Sequence, residues 1–154
     1  MKFTFKKSER LNSKKVIEQL FDKKGRETNQ SVFLYPFRVS YLGVRGLDLG
    51  AAAVAVSESE SDTLTPNPQY PTATAAVPNP QILISVSKRF FKHAVDRNLI
   101  KRRTRETYRL NKHLLLQKPS SQIPAYIAFV YIAKTIEDYA KIEKSMKAIF
   151  QKMV

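Results

Sequence analysis

The spacing of apolar residues along the chain predicts helices at both ends. Residues 8–24 have the period of an amphipathic helix, with Ser8 or Ser13 as its N-cap and Gly25 after its end. The apolar positions of this helix are Leu11, Val16, Ile17, Leu20 and Phe21. Residues 135–154 have the same period and predict a final helix. Its apolar positions are Ile136, Tyr139, Ile142, Met146, and Ile149 or Phe150.

Three segments between these helices have the character of strands. Residues 31–44 (SVFLYPFRVSYLGV) are aromatic and β-branched and predict one strand, with Phe33 and Phe37 on the same face. Pro36 cannot donate to a ladder, so it marks an edge or a bulge. A second strand is predicted over residues 81–87. A third, buried strand is predicted over residues 125–134, which are almost continuously apolar.

A long polar helix is predicted between the last two strands, over residues 93–114. The order of elements is then α-β-β-α-β-α. That order favours the α+β class and a small two-layer α/β sandwich, with helices packed on a single sheet. The length of 154 residues suits a single domain, residues 1–154.

The stretch from about 46 to 80 departs from this pattern. Residues 51–81 contain five prolines, three acids and no basic residue. This composition predicts a mobile, low-complexity acidic insertion, too long for an ordinary hairpin loop. A solvated loop and transient contact between its acids and a basic surface are both compatible with the sequence.

Charge points to the class of partner. The net charge is +14, which favours a polyanion such as nucleic acid or an anionic membrane. Cysteine is absent, which excludes disulfides and thiolate metal sites. Neither a signal peptide nor an apolar run of about 18 residues is present. A soluble cytoplasmic protein is therefore expected.

The basic residues of the long helix fall on one face. Arg97, Lys101, Arg105 and Arg109 recur every four residues and form one stripe. Cations at this spacing repel by roughly 0.2–0.5 kcal/mol per pair, and a polyanion along the stripe would relieve that repulsion. Asn98, Arg102 and Lys112 lie beside the stripe, whereas Arg103 falls on the opposite apolar arc, where we expect its head to reach solvent.

Several residues near the stripe leave alternatives open. Asn98 could bond a base edge, a ribose hydroxyl or the backbone. Phe90 and Phe91, which stand among Lys88, Arg89 and Lys92, could be core anchors or stacking platforms. Basic residues interleaved with exposed aromatics suit single-stranded RNA better than a duplex.

Catalytic motifs are not evident. The sequence has no Gly-rich phosphate loop, HExxH motif or nucleophile elbow. His93 and His113 stand twenty positions apart on one predicted helix, too far to share a metal or a proton. We therefore assign neither catalytic nor metal-binding residues to this chain.

The segment SVSKRFFKHAVDRNLIKRRTRETYRLNKH resembles the signature of the protein component of bacterial ribonuclease P. Its hallmark is an Arg-Asn pair, a Lys-Arg pair three residues after the Asn, and further Arg residues along the helix. The N-terminal RLNSKKVIEQLF and the strand VFLY resemble the corresponding elements of that family. In that family the first two strands and the basic helix belong to a β-α-β unit with an uncommon left-handed crossover. Residues 44–80 replace a short connection in the family.

The resemblance implies a function and a set of site residues. It implies the protein subunit of an endoribonuclease whose RNA subunit catalyses the 5′ maturation of precursor tRNA, with Mg²⁺ held mainly by that RNA and the substrate. The protein alone is expected to be inactive. The 5′ leader is expected in a cleft lined by Ile17, Phe21 and Tyr35. The implied RNA-binding residues are Lys88, Arg89, Lys92, Arg97, Asn98, Lys101, Arg102, Arg105 and Arg109.

Two other functions remain as alternatives. A non-catalytic RNA-binding protein, such as a ribosomal protein or RNA chaperone, would share the basic helix but would not require the Arg-Asn and Lys-Arg order. A membrane-surface protein would need a broad Leu-rich or aromatic helix face, which the basic helix lacks. The oligomeric state cannot be assigned from the sequence.

Overall fold

The computed structural model describes residues 4–22, 29–44, 79–119 and 122–153, and the following elements lie within those ranges. The helices are α1 (Lys14–Phe21), α2 (Ala94–Leu116) and α3 (Tyr139–Lys152). The strands are β1 (Asn29–Leu34), β2 (Phe37–Val44), β3 (Gln81–Val86) and β4 (Pro124–Tyr131). A short 3₁₀ turn, Lys7–Glu9, precedes α1.

The four strands form one sheet in the order β1-β2-β4-β3. The pairs β1/β2 and β2/β4 are antiparallel, and β3 runs parallel to β4. The expected α+β class and small sandwich are therefore confirmed. The β-α-β unit consists of β3, α2 and β4, and the first two strands of the chain lie outside it. The left-handed sense of its crossover stays a prediction.

The single strand predicted over residues 31–44 was wrong, because this segment forms the β1/β2 hairpin. Tyr35 and Pro36 occupy its turn. A proline is tolerated there because the strand ladder does not need an N–H donor at that position. The turn also resets the alternation of faces, so Phe33 is 68% exposed while Phe37 is fully buried. The described residues thus contain three strands before α2, where the sequence predicted two.

The two faces of the sheet carry different layers. Helices α2 and α3 cover one face, and the main core there includes Phe37, Phe129, Tyr108 and Phe150, all fully buried or nearly so. Helix α1 crosses the other face, where a smaller cluster is formed by Leu11, Leu20, Leu42 and Ala128. Burying both faces of the central strands β2 and β4 explains why β4 is apolar almost throughout.

Both terminal helices are shorter than predicted. Helix α1 begins at Lys14 because residues before it are used in other ways: Arg10 bridges to Ile82, and the backbone N–H of Leu11 donates to the Ile82 carbonyl at 3.0 Å. Ser13 takes the N-cap position without a side-chain cap bond. Gly25, the predicted helix end, lies outside the described residues.

The predicted insertion also lies outside them, except for its last two positions. Asn79 donates from Nδ2 to Glu9 Oε1 at 2.7 Å, and Pro80 is buried. These two residues therefore belong to the folded domain rather than to the insertion. Because β4 lies between β2 and β3, the two strands on either side of the insertion are not neighbours in the sheet.

Candidate nucleic-acid interface

A compact turn carries basic residues into solvent just before α2. The Ser87 carbonyl accepts from the Phe91 N–H at 3.2 Å, and Ser87 Oγ accepts from the Arg89 N–H at 3.2 Å. Lys88, Arg89 and Phe90 between them are exposed, as is Lys92, whereas Phe91 is buried. Phe91 is therefore a core anchor, and Phe90 remains available for stacking.

Arg97 makes hydrogen bonds within the protein, whereas the sequence predicted a surface cation that contacts phosphate. Its Nη1 donates to the carbonyls of Phe91 at 2.9 Å and Lys92 at 2.7 Å, and the side chain is half-buried. These carbonyls end the basic turn just before α2, so one guanidinium nitrogen fixes the turn to the helix. The neighbouring Asn98 is exposed, and its side chain has no hydrogen bond to the described residues. Arg102 is likewise exposed.

Lys101 and Arg105 form the middle of the stripe and are half-buried beside a depression of about 190 Å³. Its lining includes Arg10, residues 82–84 of the edge strand β3, and Phe5, whose ring centroid lies 5.9 Å from Arg105 Cζ. Three cations thus border a depression whose lining mixes polar and apolar atoms. Such a surface can hold phosphates at its rim while a base or ribose contacts the floor.

Arg109 ends the stripe in an ion pair. Its Nε and Nη2 donate to the two carboxylate oxygens of Glu106 at 2.9 and 2.6 Å. These hydrogen bonds lower the pKa of Glu106 and raise that of Arg109. Part of the Arg109 charge is therefore neutralised within the helix, so a phosphate there competes with a carboxylate.

Two basic residues of α2 bond to distant segments of the chain. Lys112, expected beside the stripe, is buried: its Nζ donates to Glu9 Oε1 at 2.8 Å and to the Thr4 carbonyl at 2.6 Å. Arg103, expected to reach solvent, is half-buried and donates from Nη1 to the Glu137 carbonyl at 2.8 Å. The expectation for Lys112 was wrong because its partners come from distant segments, which a helical wheel does not include. The solvent contact expected for the head of Arg103 stays a prediction.

The three residues of the expected leader cleft lie at two places. Ile17 packs beside the small cluster under α1, and Phe21 at the end of α1 is 46% exposed. Tyr35 lies in the hairpin turn, at the opposite end of β1 from Asn29, whose side chain bonds the Gln19 carbonyl of α1. Six strand residues at about 3.3 Å each separate the two places by roughly 20 Å.

The sheet surface between those places is open in part. Phe33 and Arg38, on the face that α1 crosses, are exposed. An extended strand of RNA could therefore lie from Phe21 along this face to Tyr35. None of the described helices is long and apolar enough to cross a membrane. The described ranges contain no group of three or more His, Asp or Glu side chains arranged to hold a metal ion.

Comparison with known proteins agrees with the resemblance of the basic helix. A bacterial ribonuclease P protein component from Porphyromonas gingivalis is 46% identical over 69 residues, which cover 43% of this chain and 49% of the relative. The protein component from Idiomarina loihiensis is 36% identical over 84 residues, covering 51% of this chain and 61% of the relative.

These matches span only part of each relative, about half the length of the Porphyromonas gingivalis protein. No solved structure shows a significant match to the chain. The family model described as Ribonuclease P, however, matches residues 5–154, which include every element of the fold. This chain therefore belongs to the ribonuclease P family.

Proposed function

We propose that this chain is the protein subunit of a ribonuclease P ribonucleoprotein. In this proposal it binds the catalytic RNA subunit and the 5′ leader of precursor tRNA, and so promotes endonucleolytic 5′ maturation of tRNA in the bacterial cytoplasm. Membership of the family supports the assignment. The single structural observation that carries it is the group of exposed cations on the turn before α2 and on that helix, namely Lys88, Arg89, Lys92 and Arg102.

The residues of this surface divide by the contact each can make. Lys88, Arg89 and Arg102 are exposed and can meet phosphates as the RNA subunit approaches. Lys101 and Arg105 border the depression beside β3 and can hold a strand over it. The face of the sheet from Phe21 to Tyr35 is proposed to receive the leader.

The chemistry of cleavage is proposed to belong to RNA. Mg²⁺ held mainly by the RNA subunit and the substrate would supply metal activation of water for attack on the phosphodiester. This chain contributes by reducing the repulsion between two RNAs and by fixing the leader, which places the scissile bond. Removing Mg²⁺ with a chelator should therefore abolish cleavage while leaving the melting temperature of the protein unchanged.

Reconstitution tests this function directly. The protein, the candidate RNA subunit and precursor tRNA should be combined at low Mg²⁺, with cleavage at the mature 5′ end as the readout. We expect cleavage by the mixture at a Mg²⁺ concentration at which the RNA alone is slow, and none by RNA-free protein. Failure of the protein to stimulate the RNA subunit would contradict the proposal and favour an RNA-binding protein of another kind.

Variants that each remove one positive charge test whether that activity depends on the basic surface. Arg102→Gln should weaken binding of the RNA subunit and reduce the slope of log affinity against log salt by about one unit. Lys147→Gln is the matched control, since it also removes one exposed cation but lies on α3, in an ion pair with Glu143 at 2.8 Å. Equal losses in both variants would mean that net charge alone, rather than this surface, governs binding.

A further inference from the structure

The N-terminal arm, residues 4–12, contacts both α2 and the edge strand β3. On the strand side, the Leu11 N–H donates to the Ile82 carbonyl at 3.0 Å. On the helix side, the ring of Phe5 meets the ring of the fully buried Tyr108 edge-on, with centroids 6.0 Å apart. The arm is therefore attached to two elements of the folded domain before α1 begins.

Glu9 adds a buried carboxylate to this attachment. Its side chain is 1% exposed, and one oxygen, Oε1, accepts from Lys112 Nζ at 2.8 Å and from Asn79 Nδ2 at 2.7 Å. Lys112 Nζ also donates to the carbonyl of Thr4, at the start of the arm, at 2.6 Å. Two points of the arm thus share one ammonium group, so the arm cannot leave α2 without separating a buried ion pair.

The attached arm supplies one side of the depression beside β3. Phe5 and Arg10 line it from the arm, whereas Lys101 and Arg105 line it from α2. Like charges repel, so bringing Arg10 to the two cations of α2 costs free energy that the attachment of the arm offsets. Arg10 directly follows Glu9 in the chain, so the bonds of Glu9 restrict where the guanidinium of Arg10 can lie.

We propose that Glu9 is a positioning residue for RNA binding. Its buried bonds to Lys112 and Asn79 fix the arm, and the fixed arm holds Arg10 at the depression with the two cations of α2. Phosphates of a bound RNA strand contact these three cations together and relieve their repulsion. That the bound anion is RNA rests on the proposed function.

A role in stability alone is the alternative for Glu9. Desolvation offsets much of the attraction within a buried ion pair, so apolar residues of similar size often stabilise a fold equally well. A stability role predicts that substitution of Glu9 lowers the amount of folded protein and leaves the RNA affinity of the folded fraction unchanged. A positioning role predicts a change in that affinity and in its dependence on salt.

Glu9→Gln separates these roles by the sign of its effect. The variant removes a negative charge, so net charge alone predicts RNA binding at least as tight as in the wild type. The proposal predicts the opposite, because the Arg10 contact is lost. The slope of log affinity against log salt should fall by about 0.7, and binding should weaken about fivefold at about 0.1 M salt. The probe is a fluorescently labelled single-stranded oligoribonucleotide of about ten nucleotides, titrated against the full-length protein.

Glu18→Gln is the matched control for charge. It also removes one negative charge from the N-terminal part of the chain, but the side chain is exposed on α1. This variant should neither weaken oligonucleotide binding nor lower the salt slope. If the folded Glu9→Gln protein binds as tightly as the Glu18→Gln protein, the positioning role is wrong.

A double-mutant cycle tests whether Glu9 acts through Arg10. Arg10→Gln alone should lower affinity and slope as much as Glu9→Gln does, and combining the two substitutions should have no further effect. Wild-type affinity in Arg10→Gln, or equal losses from Glu9→Gln in both backgrounds, would overturn the proposal.

Asn79→Ala asks the same question with less effect on folding, because it removes a neutral donor from Glu9 and leaves the ion pair with Lys112 in place. It should weaken oligonucleotide binding in the wild-type background and have no effect beside Arg10→Gln. Unchanged affinity of Asn79→Ala would contradict the proposal even if Glu9→Gln did not fold. Stimulation of the RNA subunit by the wild-type protein tests the proposed function separately, so either can fail alone.

Discussion

At the scale of single residues, two cations of α2 bond to other parts of the protein. Lys112 is paired with Glu9, and only 9% and 1% of the two side chains are exposed. Arg97 bonds two carbonyls of the turn before its own helix. Both sit among residues that the sequence presents as one basic surface, yet each has a role in holding the fold together.

The buried pair leads to a prediction about stability. Lys112→Ala leaves the Glu9 carboxylate buried without its cation and should lower the free energy of unfolding by about 3–5 kcal/mol. Urea unfolding monitored by circular dichroism measures this loss. Lys147→Ala, which breaks an exposed pair, should have a much smaller effect on the free energy of unfolding. A Lys112→Ala protein as stable as the Lys147→Ala protein would show that the pair is not a structural requirement.

Arg97 and Arg102 should separate structure from binding. Arg97→Gln removes two charge-assisted bonds to carbonyls and should lower the free energy of unfolding by about 1–3 kcal/mol. Arg102→Gln should leave stability unchanged or slightly higher, since it relieves like-charge repulsion, while reducing the salt dependence of RNA binding. Thermal melts of the two variants, run beside the binding titrations, make the comparison. Equal melting temperatures would contradict the structural role of Arg97.

At the scale of elements, the periodicity of apolar residues predicted the position of the long helix better than it predicted the contacts of that helix. The apolar and basic faces of α2 predicted a helix over residues 93–114. Its observed bounds, Ala94–Leu116, differ from these by at most two residues. The β1/β2 hairpin was missed because apolar residues continue through the turn, and Pro36 allows an edge strand as readily as a turn. The contacts of Lys112 and Arg103 were not predicted because their partners, Glu9 and Glu137, are 103 and 34 residues away. Local patterns carry no information on such distant contacts.

The acids on and beside the helices predict the response of stability to pH. Hydrogen bonds from Lys141, Lys147 and Arg109 are the main cause of lowered pKa values at Glu137, Glu143 and Glu106, respectively. Because the folded pKa lies below the unfolded value near 4.5, each carboxylate adds stability above that pH. The contribution is lost as pH falls through the lowered pKa.

Melting temperatures of wild type and Glu137→Gln between about pH 7 and pH 3 measure this effect, since a neutral amide cannot titrate. The variant should be less stable at neutral pH, and the gap should close on acidification. Glu143 also lies four residues before a lysine, so Glu143→Gln gives a second comparison of the same kind. A gap that stays constant across this range would rule out a contribution from the charge of Glu137.

At the scale of the whole molecule, the sheet order decides how the insertion can be removed. Val44 and Gln81 end and begin strands that are two positions apart in the sheet. Two strand spacings amount to about 10 Å. A two-residue turn is too short to cover that distance and also pass over β4. Asn79 and Pro80 must also be kept, because they contact the folded domain.

We therefore predict that replacing residues 46–78 with a flexible linker of about six residues preserves folding and RNA binding, since linker length has a small entropic effect. The measurements are the urea unfolding midpoint and the affinity for the RNA subunit. A second deletion that also removes Asn79 and Pro80 is the control and should be less stable. Loss of cooperative unfolding in the shorter deletion would show that the segment is structural.

The long separation between Glu9 and Lys112 has a consequence for synthesis on the ribosome. The N-terminal arm emerges first, yet its buried carboxylate meets no cation until α2 has been made, and the sheet beneath α1 lacks its central strand until β4 has left the exit tunnel. We therefore expect the residues around Glu9 to reach their native contacts only late in translation. Folding then joins residues that are 103 positions apart, a non-local contact of the kind that slows folding.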